Sequence, residues 1–303
     1  MIYLKDFRQG RLLYEALDSD VRLGILEELL ENKELNLAYF AKRFDVSNGA
    51  ITAHVKKLHA AGLIEISTSS GIRGTQKICS LAADKIVIDF LSRPHEEGRV
   101  ESASIDVGQY ADYEAHPTCG LATREHIVGR FDDPACFSYP ERFRAGIVWM
   151  AYGYVEYLIP NYISEGAELA ELQISLEIAS EAPGYVAYYP SDIVFSLNGT
   201  RLGVYQSKGE YNDRTGTVSP SWWFGNLGQY GKKLFIAVNE LGTYFGGTKV
   251  SDVRLSDLAV CAGRQIRFRI AVPEDAKNRG GFTLFGKGFG DYDEGIECNF
   301  IFK

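Results

Sequence analysis

Residues 46–64 read Val-Ser-Asn-Gly-Ala-Ile-Thr-Ala-His-Val-Lys-Lys-Leu-His-Ala-Ala-Gly-Leu-Ile, and this stretch decides the fold of the first third of the chain. Ser47 is a residue type that caps helix N-termini, and Gly62 is the type that ends helices in a left-handed conformation. Between them the pattern predicts a helix over residues 48–61. The residues expected on its core side, at about 100° per residue, are Ile51, Val55 and Leu58.

The sequence on either side predicts further short elements. Asp18 or Ser19 can cap an earlier helix, and Asn36 can cap the next one. The predicted elements are helices over residues 20–31 and 37–44, strands over residues 63–67 and 76–80, and a loop over residues 69–74. Helix, helix, turn, helix and hairpin is the order of a winged helix-turn-helix.

The side of the predicted 48–61 helix that faces away from the core is small, polar and basic. Small residues let a helix approach base pairs closely, hydroxyl and amide groups can bond to base edges or phosphates, and lysines supply positive charge. We therefore predict a double-stranded DNA partner, against the alternative of a merely solvated helical face. The predicted DNA contacts are Ser47, Asn48, Gly49, Thr52, Ala53, Lys56 and Lys57 in the helix, with Arg73 and Lys77 in the hairpin.

Residues 16–26, 46–47 and 51–64 together resemble the ArsR-type winged-helix transcription regulators of bacteria and archaea. The resemblance covers about residues 10–90. It implies a homodimer that reads an inverted repeat, with the helix that begins at Ser47 in the major groove and the hairpin as a wing. Metal-sensing members carry paired cysteines in the helix that here is predicted over residues 37–44, which contain no cysteine. Metal sensing is therefore not implied.

Charge and aromatic content divide the 303-residue chain in two. The net charge is −8, but residues 1–94 carry 13 Lys and Arg against 12 Asp and Glu, and the remaining 209 carry 19 against 28. Of the 38 aromatic residues, 31 follow residue 94. We therefore predict a two-domain α+β protein with a winged helix-turn-helix over residues 1–92, a linker over 93–104 and an all-β jelly-roll sandwich over 105–303.

The larger domain shows repeated strand patterns with turn residues between them. Asn198-Gly199, between two alternating segments, is a strong hairpin signal. Many such segments with little helical patterning favour a β-sandwich. The predicted strands cover residues 143–150, 152–159, 169–178, 192–197, 201–205, 234–239, 264–272, 282–286 and 296–302.

Two aromatic clusters in this domain predict an effector site. Sugars present flat C–H faces to aromatic rings, and their hydroxyls need carboxylate or amide partners. We therefore predict a small polar effector, a sugar, although the same rings could simply fill the sandwich core. The predicted effector contacts are Trp149, Tyr152, Tyr154, Glu156, Trp222, Trp223 and Asn226.

Other chemistry has less support in the sequence. His116, Cys119, His126 and Cys136 have zinc-binding side chains, but their spacing matches no standard zinc motif and a turn explains it equally well. We predict no metal, no cofactor and no catalytic residues, because neither a nucleophile elbow nor a phosphate loop is present. Without an apolar leader or a membrane-length apolar run, we expect a cytoplasmic protein with reduced cysteines.

These observations give one hypothesis and two rivals. The hypothesis is a DNA-binding transcription regulator whose β-sandwich binds an effector that changes operator affinity. The first rival is a glycan-active enzyme whose N-terminal domain mediates assembly, since carboxylates are plentiful in the sandwich. The second is a protein–protein adaptor whose aromatic clusters cover a partner surface. The identity of the effector, the operator and the direction of regulation stay open.

Overall fold

The computed structural model describes residues 2–4, 8, 10–71, 74–83, 86–88, 99–181 and 188–303. The chain divides into two compact units, Met1–Glu96 and Glu97–Lys303. All α-helices of the described residues lie in the first unit, and the second is built mainly of strands. The predicted α+β class, with a helical N-terminal domain followed by a sandwich-like β domain, is confirmed.

The N-terminal unit contains four helices and five short strands within its described residues. They are β1 (Ile2–Leu4), α1 (Arg11–Leu17), α2 (Asp20–Glu31), β2 (Leu35–Asn36), α3 (Leu37–Arg43), α4 (Asn48–Ala60), β3 (Ile64–Gly71), β4 (Gly74–Leu81) and β5 (Ile86–Ile88). Strands β2, β4 and β3 form an antiparallel sheet in that order. Strand β1 pairs in parallel with β5, so that Ile2 lies opposite Ile86. The sequence analysis predicted neither α1 nor this parallel pair.

Helix α4 is fixed at both ends and along one side. At its start, the Ala50 N–H donates to Ser47 Oγ at 3.2 Å. At its end, Gly62 has a φ of +71°, the left-handed conformation expected of a terminating glycine. The apolar side is no more than 1% exposed and belongs to the core of the unit. These core residues are the predicted Ile51, Val55 and Leu58.

The C-terminal unit contains twelve strands, all connected in one hydrogen-bonded sheet system. They are β6 (Val100–Ile105), β7 (Asp112–Ala122), β8 (Ile147–Ile159), β9 (Leu169–Ala179), β10 (Ser191–Leu197), β11 (Thr200–Ser207), β12 (Lys232–Asn239), β13 (Gly242–Phe245), β14 (Thr248–Ser251), β15 (Ile266–Val272), β16 (Phe282–Phe285) and β17 (Ile296–Phe302). Short 3-10 helices cover Pro134–Ser138, Pro140–Arg144 and Leu255–Leu258. The main path runs β11-β10-β15-β8-β16-β9-β12-β13-β14.

The β10–β11 hairpin has the turn that its sequence predicts. Asn198 and Gly199 have φ angles of 49° and 81°, and Leu197 pairs with Thr200. Positive φ at both central residues is the geometry that Asn-Gly favours.

Several strand predictions differ from the structure. Strands β7, β13 and β14 were not predicted, and the predicted loop over residues 69–74 is shorter, because β3 runs to Gly71 and β4 begins at Gly74. The predicted strands 143–150 and 152–159 are replaced by one strand, β8, which begins at Ile147 and continues through Gly153 at a φ of +115°. The carbonyl oxygen of Glu114 lies close to Gly153. A Cβ at Gly153 would lie 2.0 Å from that carbonyl oxygen, so only glycine fits there. The predicted linker also differs, because residues 100–104 lie in β6, which is held by backbone pairing with β17 despite its polar sequence.

Two apolar clusters fill the C-terminal unit. The larger contains the inward side chains of most strands. The second, which we call the tryptophan cluster, contains Ala122, Ile147, Trp149, Ala179, Trp223, Phe285 and Phe289. The segment between β11 and β12 covers it with Tyr211, Trp222 and Leu227.

Candidate functional site

The outer side of α4 is exposed. Ser47, Asn48, Gly49, Ala53, Lys56 and Lys57 are exposed, and Thr52 is half-buried. Thr52 Oγ1 donates to Asn48 O at 2.7 Å, one helical turn earlier. Ser47 Oγ accepts the capping bond from Ala50 and keeps its own proton to donate.

The two lysines of this face have no counterion among the residues that the structure describes. Neither Lys56 nor Lys57 forms an ion pair with another described residue. Lys77 is exposed on β4, opposite Thr68 of β3. The predicted contact Arg73 lies outside the described residues. The exposed lysine charges are therefore available to an anionic partner such as a phosphate backbone.

Sequence analysis missed the residue that positions α4, Arg22 of α2. Its side chain is buried, and the guanidinium donates to the carbonyl oxygens of Ala16, Glu15 and Asp18 at 2.6, 2.7 and 2.9 Å. Its Nη1 lies 3.3 Å from His54 Nδ1 of α4. Burial, followed by the charges of Arg22 and Lys57, lowers the pKa of His54. Since neutral imidazole can accept from Arg22, this contact joins α4 to the end of α1.

A family model for a helix-turn-helix domain matches residues 21–74, which contain α2, α3, α4 and the start of the hairpin. Residues 21–74 form a helix-turn-helix domain. The match includes Ser47 and the whole outer side of α4.

Other comparisons add little to this match. No curated protein matches the chain. HlyU from Vibrio cholerae N16961 is 26% identical over 25% of this chain and 78% of its own, with a TM-score of 0.22. A structure concerned with cell entry of botulinum neurotoxin type C and two ganglioside molecules is 12% identical over 78% of this chain and 48% of its own, also with a TM-score of 0.22. Scores this low carry no argument about fold or function.

The predicted effector contacts all lie in the C-terminal unit, and they fall into two groups. In the first group, Tyr152 stacks on His116 at 4.0 Å between ring centroids, and Tyr154 donates its hydroxyl to Asp112 at 2.9 Å. Glu156 accepts from Arg267 at 2.9 Å and from Arg269 at 2.8 Å and is buried. The polar groups of Tyr154 and Glu156 therefore have partners within the unit, and the Tyr152 ring is held against His116.

The second group belongs to the tryptophan cluster. The ring centroids of Trp149 and Trp223 lie 5.9 Å apart, and both rings are buried. Trp222 is half-buried and donates its indole N–H to Arg124 O at 2.6 Å. Asn226 is exposed, and its side chain makes no hydrogen bond to another described residue. Among the described residues, no hydrogen bond or ring contact links this group to Tyr152, Tyr154 or Glu156.

A recess of about 210 Å³ lies in the C-terminal unit. Arg124, whose carbonyl oxygen accepts the Trp222 hydrogen bond, is one of the residues that line it, and the exposed ring of Phe143 is another. Lys287 pairs with Asp106 at 2.7 Å and Arg144 with Glu125 at 3.3 Å, whereas the Arg124 guanidinium has no partner among the described residues. The lining residues are Asp106, Arg124, Glu125, Phe143, Arg144, Ala145 and Lys287. The sequence analysis did not identify this recess.

Buried carboxyl groups lie next to the tryptophan cluster. Glu177 accepts backbone N–H groups from Gly231, Asp291 and Tyr292, yet burial raises its pKa to about 7. Glu181 accepts from Thr283 Oγ1 at 2.5 Å, and burial together with the charge of Glu210 raises its pKa well above the ordinary value. No local motif identifies these residues, because their partners come from distant strands.

The four residues with zinc-binding side chains have other contacts. His116 lies 2.9 Å from Glu114, and His126 lies 2.8 Å from Glu141. Cys119 and Cys136 are buried as free thiols. Within the described part of the chain, no group of three or more His, Cys, Asp or Glu side chains is placed to hold a metal ion.

None of the described helices is both long enough and apolar enough to cross a membrane.

Proposed function

We propose that the protein is a DNA-binding transcription regulator of the ArsR type. The outer side of α4 carries this proposal, because it combines small residues, hydroxyl and amide groups, and two lysines that pair with no described acidic residue, at the position of a recognition helix. The helix-turn-helix match supports it. The resemblance to ArsR-type regulators also implies a homodimer that binds an inverted repeat.

The predicted contacts have different roles in the proposed complex with DNA. Lys56 and Lys57 bind phosphates, and Ser47, whose oxygen caps α4, donates its remaining proton to the phosphate at the helix start. Gly49 and Ala53 allow close approach of the helix to the groove. Lys77 extends the basic surface along the hairpin, and the contact of Arg73 stays a prediction from the sequence.

Salt dependence tests the lysine assignment. The duplex is taken from the sequence upstream of the protein's own gene, and anisotropy titrations are made from 50 to 200 mM salt. We expect Lys56→Ala with Lys57→Ala to weaken binding and to reduce the magnitude of the slope of log K against log salt by about 2 per bound protomer, or about 4 for the proposed homodimer, since each phosphate contact contributes about 0.9.

The matched control is Lys33→Ala with Lys208→Ala, which removes the same charge at exposed positions outside α4. An unchanged slope in the α4 variant would falsify this DNA face. Absence of binding by the unmodified protein to any duplex tested would remove the regulator proposal itself.

For the C-terminal unit we propose a small sugar effector held at the recess and Trp222. Phe143 and Trp222 supply aromatic surface, and Asn226 and the charged lining supply hydrogen-bonding groups for hydroxyls. By linkage, the effector changes DNA affinity by the ratio of its own affinities for the DNA-bound and DNA-free protein. Trp149, Trp223, Tyr152, Tyr154 and Glu156 then support the unit from within.

A thermal-shift screen tests this site. All three tryptophans lie in the C-terminal unit, so their fluorescence reports its unfolding. Hexoses and hexuronates are added singly to the full chain, and Phe143→Ala and Asn226→Ala are expected to reduce the shift. Tyr188→Ala, at a ring that is 75% exposed and outside the recess, is the control. A shift that neither Phe143→Ala nor Asn226→Ala reduces places the sugar elsewhere, and no shift with any sugar rejects this effector class.

The buried carboxyl groups favour one second candidate, a glycan-active enzyme. Thr283, which bonds to Glu181, pairs with Trp149 in the sheet, and burial raises the pKa of the Glu181 carboxyl well above its ordinary value. Glycosidases use such a group as a general acid. Release of reducing ends from an oligosaccharide panel, lost in Glu181→Gln, would support the enzyme, and lack of turnover removes it.

A further inference from the structure

The hydrogen bonds within α4 show which side chains are free to identify a base. The oxygen of Ser47 is used in capping, and the hydroxyl proton of Thr52 is used by Asn48 O. Gly49 and Ala53 carry no polar side-chain atoms. Among the described residues, the side-chain amide of Asn48 has no hydrogen bond, and it is exposed at the first position of the helix.

Asn48 therefore offers one donor and one acceptor together on the outer side. In the major groove, adenine presents the matching pair, the N7 acceptor and the N6 donor, and an amide side chain can bind both at once. A guanine edge presents two acceptors, which suit Arg or Lys instead. The lysines of α4 lie two turns further on, where they can reach phosphates.

Thr52 adds a second, apolar element of recognition. With its hydroxyl proton donated to Asn48 O, Thr52 keeps an acceptor oxygen and an apolar methyl group, and the thymine 5-methyl is the apolar group of the major groove that suits this methyl. Asn48 and Thr52 are one helical turn apart, about 5.4 Å, which spans one to two base-pair steps of about 3.4 Å.

Resting on the proposed DNA-binding function, we infer that Asn48 reads an adenine and that the Thr52 methyl contacts a thymine within two base pairs of it. Each operator half-site then contains at least one fixed A·T pair under the N-terminal end of α4. Lys56 and Lys57 contribute affinity for DNA of any sequence.

Selection from a random duplex library by the full chain tests the inference. We expect a fixed A·T pair whose preference is lost in Asn48→Ala and kept in Lys56→Ala. On the selected duplex, 7-deazaadenine at that adenine removes N7 and should weaken binding by about tenfold, and no further in Asn48→Ala. Deoxyuridine in place of the thymine should weaken binding by about threefold, but not in Thr52→Ser, which lacks the methyl group.

The outcomes separate the two proposals. If the protein enriches no sequence, the regulator proposal fails and this inference fails with it. If it enriches sequences whose A·T preference survives in Asn48→Ala, or if 7-deazaadenine leaves the affinity unchanged, DNA binding stands and the assignment of Asn48 is wrong. Helical circular dichroism of Asn48→Ala, expected to match the unmodified protein, confirms that the variant folds.

Discussion

At Gly49, a larger side chain is expected to stabilise helix α4 and to weaken the proposed DNA binding. A Cβ added there would meet only Ser47 Oγ at 3.9 Å, an ordinary contact, so the unit has room for alanine. Alanine favours a helix over glycine by up to about 1 kcal/mol, and less near a terminus. The same Cβ would project from the exposed side of α4.

We therefore expect Gly49→Ala to raise the unfolding temperature of the helical unit and to weaken DNA binding severalfold. Circular dichroism at 222 nm measures the first effect, because the described α-helices all lie in this unit. Anisotropy with a bound duplex measures the second. Equal or tighter DNA binding would show that the helix does not approach the groove at Gly49.

At the scale of elements, the buried guanidinium of Arg22 joins three helices. Arg22 lies on α2, donates hydrogen bonds to carbonyl oxygens at the end of α1, and contacts His54 on α4. Hydrogen bonds to a charged group contribute about 1.5–3 kcal/mol each, and breaking such a buried set leaves the carbonyl oxygens without donors.

We expect Arg22→Met to lower the unfolding free energy of the helical unit by about 3 kcal/mol in urea titrations followed at 222 nm. Arg11→Met is the matched control, because the Arg11–Glu15 pair is exposed and such pairs contribute less than about 1 kcal/mol. Similar losses in the two variants would mean that the guanidinium contacts of Arg22 do not stabilise the fold.

Local signals predicted some elements and missed others for physical reasons. Helix α4 was predictable because its cap, apolar spacing and final glycine all lie within 16 residues of sequence. Strand β6 was not, because its polar residues are held by pairing with β17, almost 200 residues away. The break expected between 150 and 152 did not occur, because Gly153 keeps β8 continuous.

In the candidate site too, features set by local sequence were predictable and features set by distant segments were not. The exposed residues of α4 follow from helical periodicity alone, so their placement was predictable. The bonds of Glu177 to Gly231 and Asp291 join distant segments, and the recess is lined by residues from four separate segments. Glu156 was predicted as a ligand contact because sequence does not show that two arginines of β15 bind it.

At the scale of the whole molecule, the buried acids make the C-terminal unit sensitive to pH. Burial raises the pKa of Glu177 from 4.5 to about 7, and that of Glu181 is raised as well. Between pH 4.5 and 7 the folded state therefore keeps protons that the unfolded state releases. The unfolding free energy falls as pH rises through this window, by up to about 3 kcal/mol for Glu177.

Urea unfolding followed by tryptophan fluorescence at pH 5, 6, 7 and 8 measures this effect. We expect a lower midpoint at each step and a flatter profile in Glu181→Gln, whose amide can still accept from Thr283. Glu165→Gln, at an exposed position, should leave the profile unchanged. A midpoint that rises with pH would show that these carboxyl groups are charged in the folded unit.

The parallel pairing of β1 with β5 has a consequence for protein engineering. Ile2 lies beside Ile86, so the first and the last described strands of the helical unit are neighbours in one two-stranded sheet. A unit whose first and last strands pair can be transplanted as a cassette into a loop of another protein, or circularly permuted with a short connecting peptide. The DNA-binding unit is therefore a portable module, suited to reprogrammed sensors in which a different domain supplies the signal.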